Sequence, residues 1–238
     1  MAVLGSEQLA AYERDGFVCV EEAVDRTLAA RCRELLWEEI EELPDDPSTW
    51  KRPVVRVVGH LKPEFSQAAQ SARLSAAIDE VAGPDAAPTL WLGGTTAVRF
   101  PIDGEPGDDG WHIEGSYVGP DGGYWANRRS RDRALFLLVL FSDVGPDDAP
   151  TRLRAGSHRL IPEALRPFGD EGVSIFRLPI PDAVHELPQA LATGSAGDVY
   201  VCHPFLVHAA QRHQGTEPRF LAQPAVPWRA GVAGFPAL

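Results

Sequence analysis

Seven histidines occur in the chain, at positions 60, 112, 158, 185, 203, 208 and 213, and one of them stands in a context that suggests chemistry at once. His112-Ile113-Glu114 lies within WHIEGSY, a run that reads as a strand, and residues two apart on a strand project from the same face. An imidazole and a carboxylate could therefore reach one ion. A second run that reads as a strand, residues 206–211, carries His208. Two histidines and one carboxylate make the facial set of non-haem Fe(II) oxygenases, which leaves positions open on the metal for cosubstrate and oxygen. A His-x-Glu alone is weak, because a chain of this length can hold one by chance. Arg219 lies eleven residues beyond His208, and its planar guanidinium suits a dicarboxylate, which it can grip through two charge-assisted hydrogen bonds. Arg99, in TTAVRF, is a further cation, and strand alternation leaves inward and outward placements equally open for it.

Elements must exist to position these groups. The N-terminal part reads as helical: Ser6 is placed to cap a short helix that carries Leu9 and Tyr12 and stops at Gly16. Phe17 to Val20 reads as a strand. Asp25 can cap a second helix, in which Leu28, Cys32, Leu35, Leu36 and Ile40 recur along one face. Pro44, Pro47 and Pro53 break the next stretch, and a third amphipathic segment, about Ser66 to Val81, ends at Gly83-Pro84. After Thr89 the texture changes to short apolar runs punctuated by Gly, Pro and Asp: TLWLG, TTAVRF, WHIEGSY, ALFLLVLFSDV, TRLR, GDVYVCH, FLVHAAQ and PRFLAQPAV. That pattern predicts an antiparallel sandwich or jelly roll behind a helical layer, mainly β in class. Residues 101–110 and 118–132 read as long polar connections of the kind that carry function.

Composition narrows the partners. The formal net charge is −12, from 34 acidic and 22 basic residues, which disfavours a nucleic-acid surface because duplex binding relies on basic side chains. The cluster Arg128, Arg129, Arg131 and Arg133 in NRRSRDR reads first as a solvated loop. The longest apolar run, ALFLLVLF, is far below the roughly 18 residues a spanning helix needs, so no membrane association is expected. The start of the chain lacks a secretory pattern and the cysteines are three and widely spaced, which points to a reducing cytoplasm. Small molecules are the expected partners. No dinucleotide fingerprint, phosphate loop, Cys-x-x-Cys pair or nucleophile elbow is present.

Taken together, RDGFVCVEEAV ahead of a long helix, WHIEGSY, LLVLFSDV leading to RAGSHRL, and GDVYVCHPFLVHAAQRHQGTEPRF resemble the phytanoyl-CoA dioxygenase-like Fe(II)/2-oxoglutarate oxygenases, over most of the chain. The resemblance implies a single domain, residues 1–238, with a helical layer (1–88) on a double-stranded β-helix of the jelly-roll, cupin-like kind (89–238). It implies iron on His112, Glu114 and His208, and Arg219 on the far carboxylate of 2-oxoglutarate; from its strand position, Arg99 could add a contact to a substrate or cosubstrate carboxylate. The implied reaction consumes O2 and oxidises a small organic substrate, such as an intermediate of specialised metabolism. Three positions depart from the family pattern. Glu114 stands where aspartate is usual, DDAPTRL replaces a loop that often holds Gly-Pro, and Ala210 replaces a hydroxyl residue. Alanine or glycine at 114 would have pointed to halogenation, so the retained carboxylate points to hydroxylation or a related oxidation. Two other readings stay open: a degenerate jelly roll that binds a small ligand without oxidising it, and a cupin-like metal enzyme that does not use 2-oxoglutarate. The remaining histidines, and Trp111, Tyr117, Tyr124 and Trp125, read as packing or pocket residues.

Overall fold

The apolar run at 134–141 is continuous because its strand is buried on both faces. Leu135, Leu137, Val139 and Phe141 pack toward the helices, while Phe136, Leu138 and Leu140 point into the barrel. Around this strand the computed structural model describes residues 2–59, 62–88, 92 and 94–235. In chain order the strands are β1 (Phe17–Val20), β2 (Val54–Val58), β3 (Thr95–Arg99), β4 (Tyr117–Val118), β5 (Tyr124–Ala126), β6 (Leu135–Leu140), β7 (Arg152–Arg154), β8 (Val173–Ser174), β9 (Gln189–Leu191), β10 (Val199–Cys202), β11 (His208–Ala209), β12 (Arg219–Ala222) and β13 (Ala225–Val226). The helices are α1 (Ser6–Asp15), α2 (Arg26–Trp37), α3 (Pro63–Ala69), α4 (Ala72–Ala82), α5 (Ile161–Leu165) and α6 (Asp182–His185).

The strands pair antiparallel in a jelly roll. The major sheet runs β1-β10-β6-β12-β3-β2, with β13 also on β6, and there are two three-stranded sheets, β11-β7-β9 and β4-β5-β8. One apolar core lies between the major sheet and the helices, and a second lies between the major sheet and the sheet of β7, β9 and β11. Local signals set the N-terminal elements. Gly16 ends α1 in the left-handed region at φ 85°, where glycine carries no Cβ penalty. The Asp25 carboxylate accepts from the amides of Thr27 and Leu28 at the start of α2.

Several expectations are corrected. Gly5, not Ser6, is the N-cap of α1. The helix expected to include Ile40 ends at Trp37. The segment from Ser66 to Val81 is two helices, because the Ser71 side chain caps α4 and its hydroxyl also donates to the Ala23 carbonyl. Residues 1–88 supply two strands of the major sheet, β1 and β2, in addition to helices. Most of TLWLG lies outside the described residues. The 118–132 connection is not a bare loop but forms the hairpin partner β5. Among the described residues no helix is long and apolar enough to cross a membrane.

Candidate active site

WHIEGSY is not a regular strand: His112 makes a single bridge to His208, with amide-to-carbonyl hydrogen bonds of 3.0 and 2.9 Å in the two directions. The Glu114 amide donates to the Pro204 carbonyl at 3.2 Å. The chain is extended enough to alternate, so Ile113 is fully buried in an apolar cluster while His112 and Glu114 face a cavity on the other side. β11 is also shorter than the strand expected over 206–211, yet His208 lies on it, 2% exposed.

The two imidazole rings are 4.4 Å apart, centre to centre. Nδ1 of His112 sits 2.8 Å from the Gly110 carbonyl oxygen, and Nδ1 of His208 sits 3.0 Å from that of Leu206. A carbonyl can only accept, so these partners place a proton on Nδ1 of each ring, which leaves Nε2 as the position for metal ligation. Phe136 packs against His208 with ring centres 4.7 Å apart and fixes its orientation from below. Burial, and the neighbouring imidazole of His112, push His208 down to about 4, which keeps it neutral.

Glu114 is held on both carboxylate oxygens. Oε1 pairs with Arg133 and also accepts from the Gly115 amide at 3.2 Å, while Oε2 accepts from the Gln223 amide nitrogen. Burial works against the charged form, but Arg133, His208 and the Gln223 hydrogen bond outweigh it and hold the carboxyl below its ordinary value. The same Gln223 nitrogen lies 3.3 Å from His208 Nε2. It therefore stands between the two atoms that would face a common ion. Among the described residues no three His, Cys, Asp or Glu side chains are gathered closely enough to hold a metal ion. The donor types and their directions nevertheless fit a divalent cation, with an amide N–H group in the gap.

At the other end of the cavity, β3 and β12 pair so that Arg99 lies directly opposite Arg219. Both point inward, 3% and 2% exposed, which settles the face of Arg99. Arg99 bonds to Asp108 Oδ2 at 2.6 Å, and Arg56 shares the same oxygen. Arg219 donates to the Ala149 carbonyl at 2.6 Å. Nε and Nη1 of Arg99 and Nε of Arg219 are buried with no partner. Such orphaned donors are costly and mark a place for an anion. Burial, and then Arg99, push Arg219 well down from its ordinary value, which is the same cost expressed as protonation. The cavity that joins the two ends has a volume of about 1060 Å³.

The structure thus brings together all five residues singled out by sequence: His112, Glu114, His208, Arg219 and Arg99 line one cavity. It adds Arg133, Gln223 and Asp108. Arg133 is a correction to the reading of NRRSRDR as a solvated loop, since it turns inward from just before β6. Gln223 had a usable signal, because positions 219, 221 and 223 alternate onto one face, and all three line the cavity. Trp111 and Tyr124 also line it, with Phe176 beside His112. Trp111 lies against the guanidinium groups of Arg152 and Arg154, 4.7 and 4.6 Å from its ring. Tyr117 and Trp125 hydrogen-bond to Glu171 and Asp121 instead. His203 stacks on Phe235 and His213 bonds within its own turn, while His185 is exposed and His60 lies outside the described residues. His158 packs against His203, ring centres 5.1 Å apart.

Comparison with known proteins bears on the fold and the family. Among solved structures, the chain is similar to the epimerase SnoN, crystallised in complex with Fe3+, alpha ketoglutarate and nogalamycin RO: 20% identity, TM-score 0.66, covering 97% of this chain and 86% of that chain. It is similar to HygX from Streptomyces hygroscopicus, with nickel and 2-oxoglutarate bound, at 19% identity and TM-score 0.59, covering 97% and 89%. EctD from S. alaskensis with bound Fe gives 18% identity and TM-score 0.63, covering 99% and 80%. At these identities the likeness is one of fold. No curated protein sequence matches. The sequence pattern of the family described as Phytanoyl-CoA dioxygenase (PhyH) matches residues 12–221, nearly the whole chain, and the chain belongs to that family.

Proposed function

We propose that the chain is an Fe(II)/2-oxoglutarate-dependent oxygenase that hydroxylates a small organic metabolite while converting 2-oxoglutarate to succinate. Residues 1–238 act as one oxygenase domain, working in a reducing cytoplasm, in keeping with three free cysteines. The observation that carries this reading is a single cavity with two imidazoles and a carboxylate at one end and two buried, partly unpartnered arginines at the other.

In this reading His112, His208 and Glu114 hold the iron, and Arg219 with Arg99 holds the far carboxylate of 2-oxoglutarate. Iron bound there, with 2-oxoglutarate and O2, supplies the oxidising power for an unactivated C–H bond. The chain's own work is orientation. Gly110 and Leu206 fix the histidine tautomers, Phe136 keeps His208 in place, and Leu221 and Ala210 keep the middle of the cavity apolar. Trp111, Tyr124 and Phe176 give the substrate an aromatic wall. The similarity to SnoN and HygX supports a specialised metabolite as substrate.

The test is anaerobic addition of Fe(II) and then 2-oxoglutarate, with exposure to oxygen as the last step. A weak visible charge-transfer band and succinate formation are expected, both lost in His112→Ala and His208→Ala. Undiminished succinate in either variant rejects the assignment. A second reading, ligand binding without oxidation, is favoured by one observation, the engagement of Glu114 by Arg133 and Gln223. Iron binding with no band and no succinate would select it.

A further inference from the structure

Glu114 Oε2 and His208 Nε2 are both acceptors, and both face the same gap beside the cavity. Bringing a buried carboxylate and an imidazole lone pair together without a donor between them is unfavourable. The Gln223 amide resolves the conflict, because its nitrogen carries two hydrogens, bonding Glu114 Oε2 and lying 3.3 Å from His208 Nε2. The Gln223 backbone is fixed in the sheet, its amide donating to the Thr95 carbonyl at 3.1 Å. Only its side chain is free to leave. Arg133 takes the other carboxylate oxygen, Oε1, and so keeps Oε2 turned toward His208.

We propose that Gln223 is an intramolecular stand-in for the metal ion: its amide holds the Glu114 and His208 donors in place until a divalent cation displaces it. This inference rests on the metal-site reading above and deepens it. Arg133 and Gln223 are positioning residues, and together they explain how the longer glutamate serves at this position. The stand-in has a thermodynamic consequence. Metal binding must break the hydrogen bonds from the amide to a buried carboxylate and an imidazole, so the wild-type site binds its metal more weakly than the donor set alone permits. Once displaced, the amide remains at the cavity wall, within reach of a polar group on the substrate.

The experiment is a titration of the full chain with Mn(II), read as the loss of the free-ion electron paramagnetic resonance signal. Wild type, Gln223→Leu, Gln223→Met and His208→Ala are compared, with circular dichroism reporting folding. Removing a hydrogen bond to a charged group should tighten Mn(II) binding by about tenfold in both Gln223 variants, whereas His208→Ala should lose binding. Two substitutions of different shape guard against a folding defect in one of them. Wild-type binding lost in His208→Ala, together with equal or weaker affinity in folded Gln223→Leu and Gln223→Met, overturns the stand-in while sparing the metal site. Binding that His208→Ala leaves unchanged overturns the metal-site reading, and the stand-in with it.

Discussion

Among the described residues Asp108 is the one carboxylate at the arginine end of the cavity, and replacing it with asparagine tests the proposed anion site. Arg56, Arg99 and Arg219 converge there, and Asp108 Oδ2 serves the first two. The Arg99 side chain is 3% exposed and Asp108 is 23% exposed, so their hydrogen bond at 2.6 Å is largely sheltered from solvent. Arg56 is 46% exposed, and its share is screened toward the low value of a surface pair. A sheltered bond to a charged group contributes about 1.5–3 kcal/mol. An asparagine oxygen still accepts, so Asp108→Asn removes about half of this and leaves the free protein less stable by about 0.8–1.5 kcal/mol. If Asp108 occupies donors that the far carboxylate of 2-oxoglutarate needs, that energy returns on binding. At 1.4 kcal/mol per decade the dissociation constant then falls about three- to tenfold. The assay is calorimetric titration of 2-oxoglutarate into the Mn(II)-loaded protein under anaerobic conditions, paired with thermal melts. The free variant should melt lower and gain more from the ligand than wild type does. Unchanged or weaker binding refutes the competition and makes Asp108 the group that orients Arg99.

Two further predictions concern the scaffold. Burial, and then His158, push His203 down to about 3 from 6.5, so the unfolded chain binds a proton that the folded chain refuses between these values. Stability must then fall as pH drops from about 6.5 toward 3, by up to about 1.4 kcal/mol per unit from this residue. Urea unfolding of His203→Phe should show a shallower dependence between pH 4 and 6, by about one proton, and an identical slope would remove His203 as the cause. Gly197 sits at φ 102°, and a Cβ there would run into the Val24 carbonyl oxygen. Gly197→Ala should lower stability by about 2 kcal/mol or more, read as a reduced urea midpoint at unchanged slope. A wild-type midpoint would show that the turn before β10 relaxes freely.

The sequence made legible those parts of the molecule whose signals are local. A left-handed stop at Gly16, a carboxylate cap at Asp25 and a strand buried on both faces at 134–141 each announce themselves within a few residues. β2 went unread because Pro53 stands just ahead of it and because its alternation, VVRVV, puts only Val55 and Val57 in the core. As the edge of the major sheet it tolerates a neighbouring proline. The break between α3 and α4 is a tertiary effect, since Ser71 bonds to Ala23, 48 residues away. The site divides in the same way. Alternation gave His112 with Glu114, and spacing gave Arg219. Arg133 and Asp108 escaped because their roles depend on partners reached only through folding.

Charge explains why those late arrivals matter. The chain is strongly acidic, at −12, yet the charged residues lining the cavity are Arg56, Arg99, Arg133 and Arg219 against Asp108 and Glu114. The interior therefore carries a surplus of two positive charges while the exterior repels anions. Each carboxylate is committed to an arginine, Asp108 to Arg99 and Glu114 to Arg133. In the proposed reading a dicarboxylate would neutralise the surplus at the Arg99 and Arg219 end, where donors stand unpartnered. At the other end, in the proposed reading, a cation would displace Gln223 from Glu114 Oε2 while Arg133 stays on Oε1. The two events compensate in charge, so anion and metal should each bind more favourably when the other is present. Such coupling is reciprocal by thermodynamic necessity. It requires only that both ends share one cavity, and His208 and Arg219 line the same one.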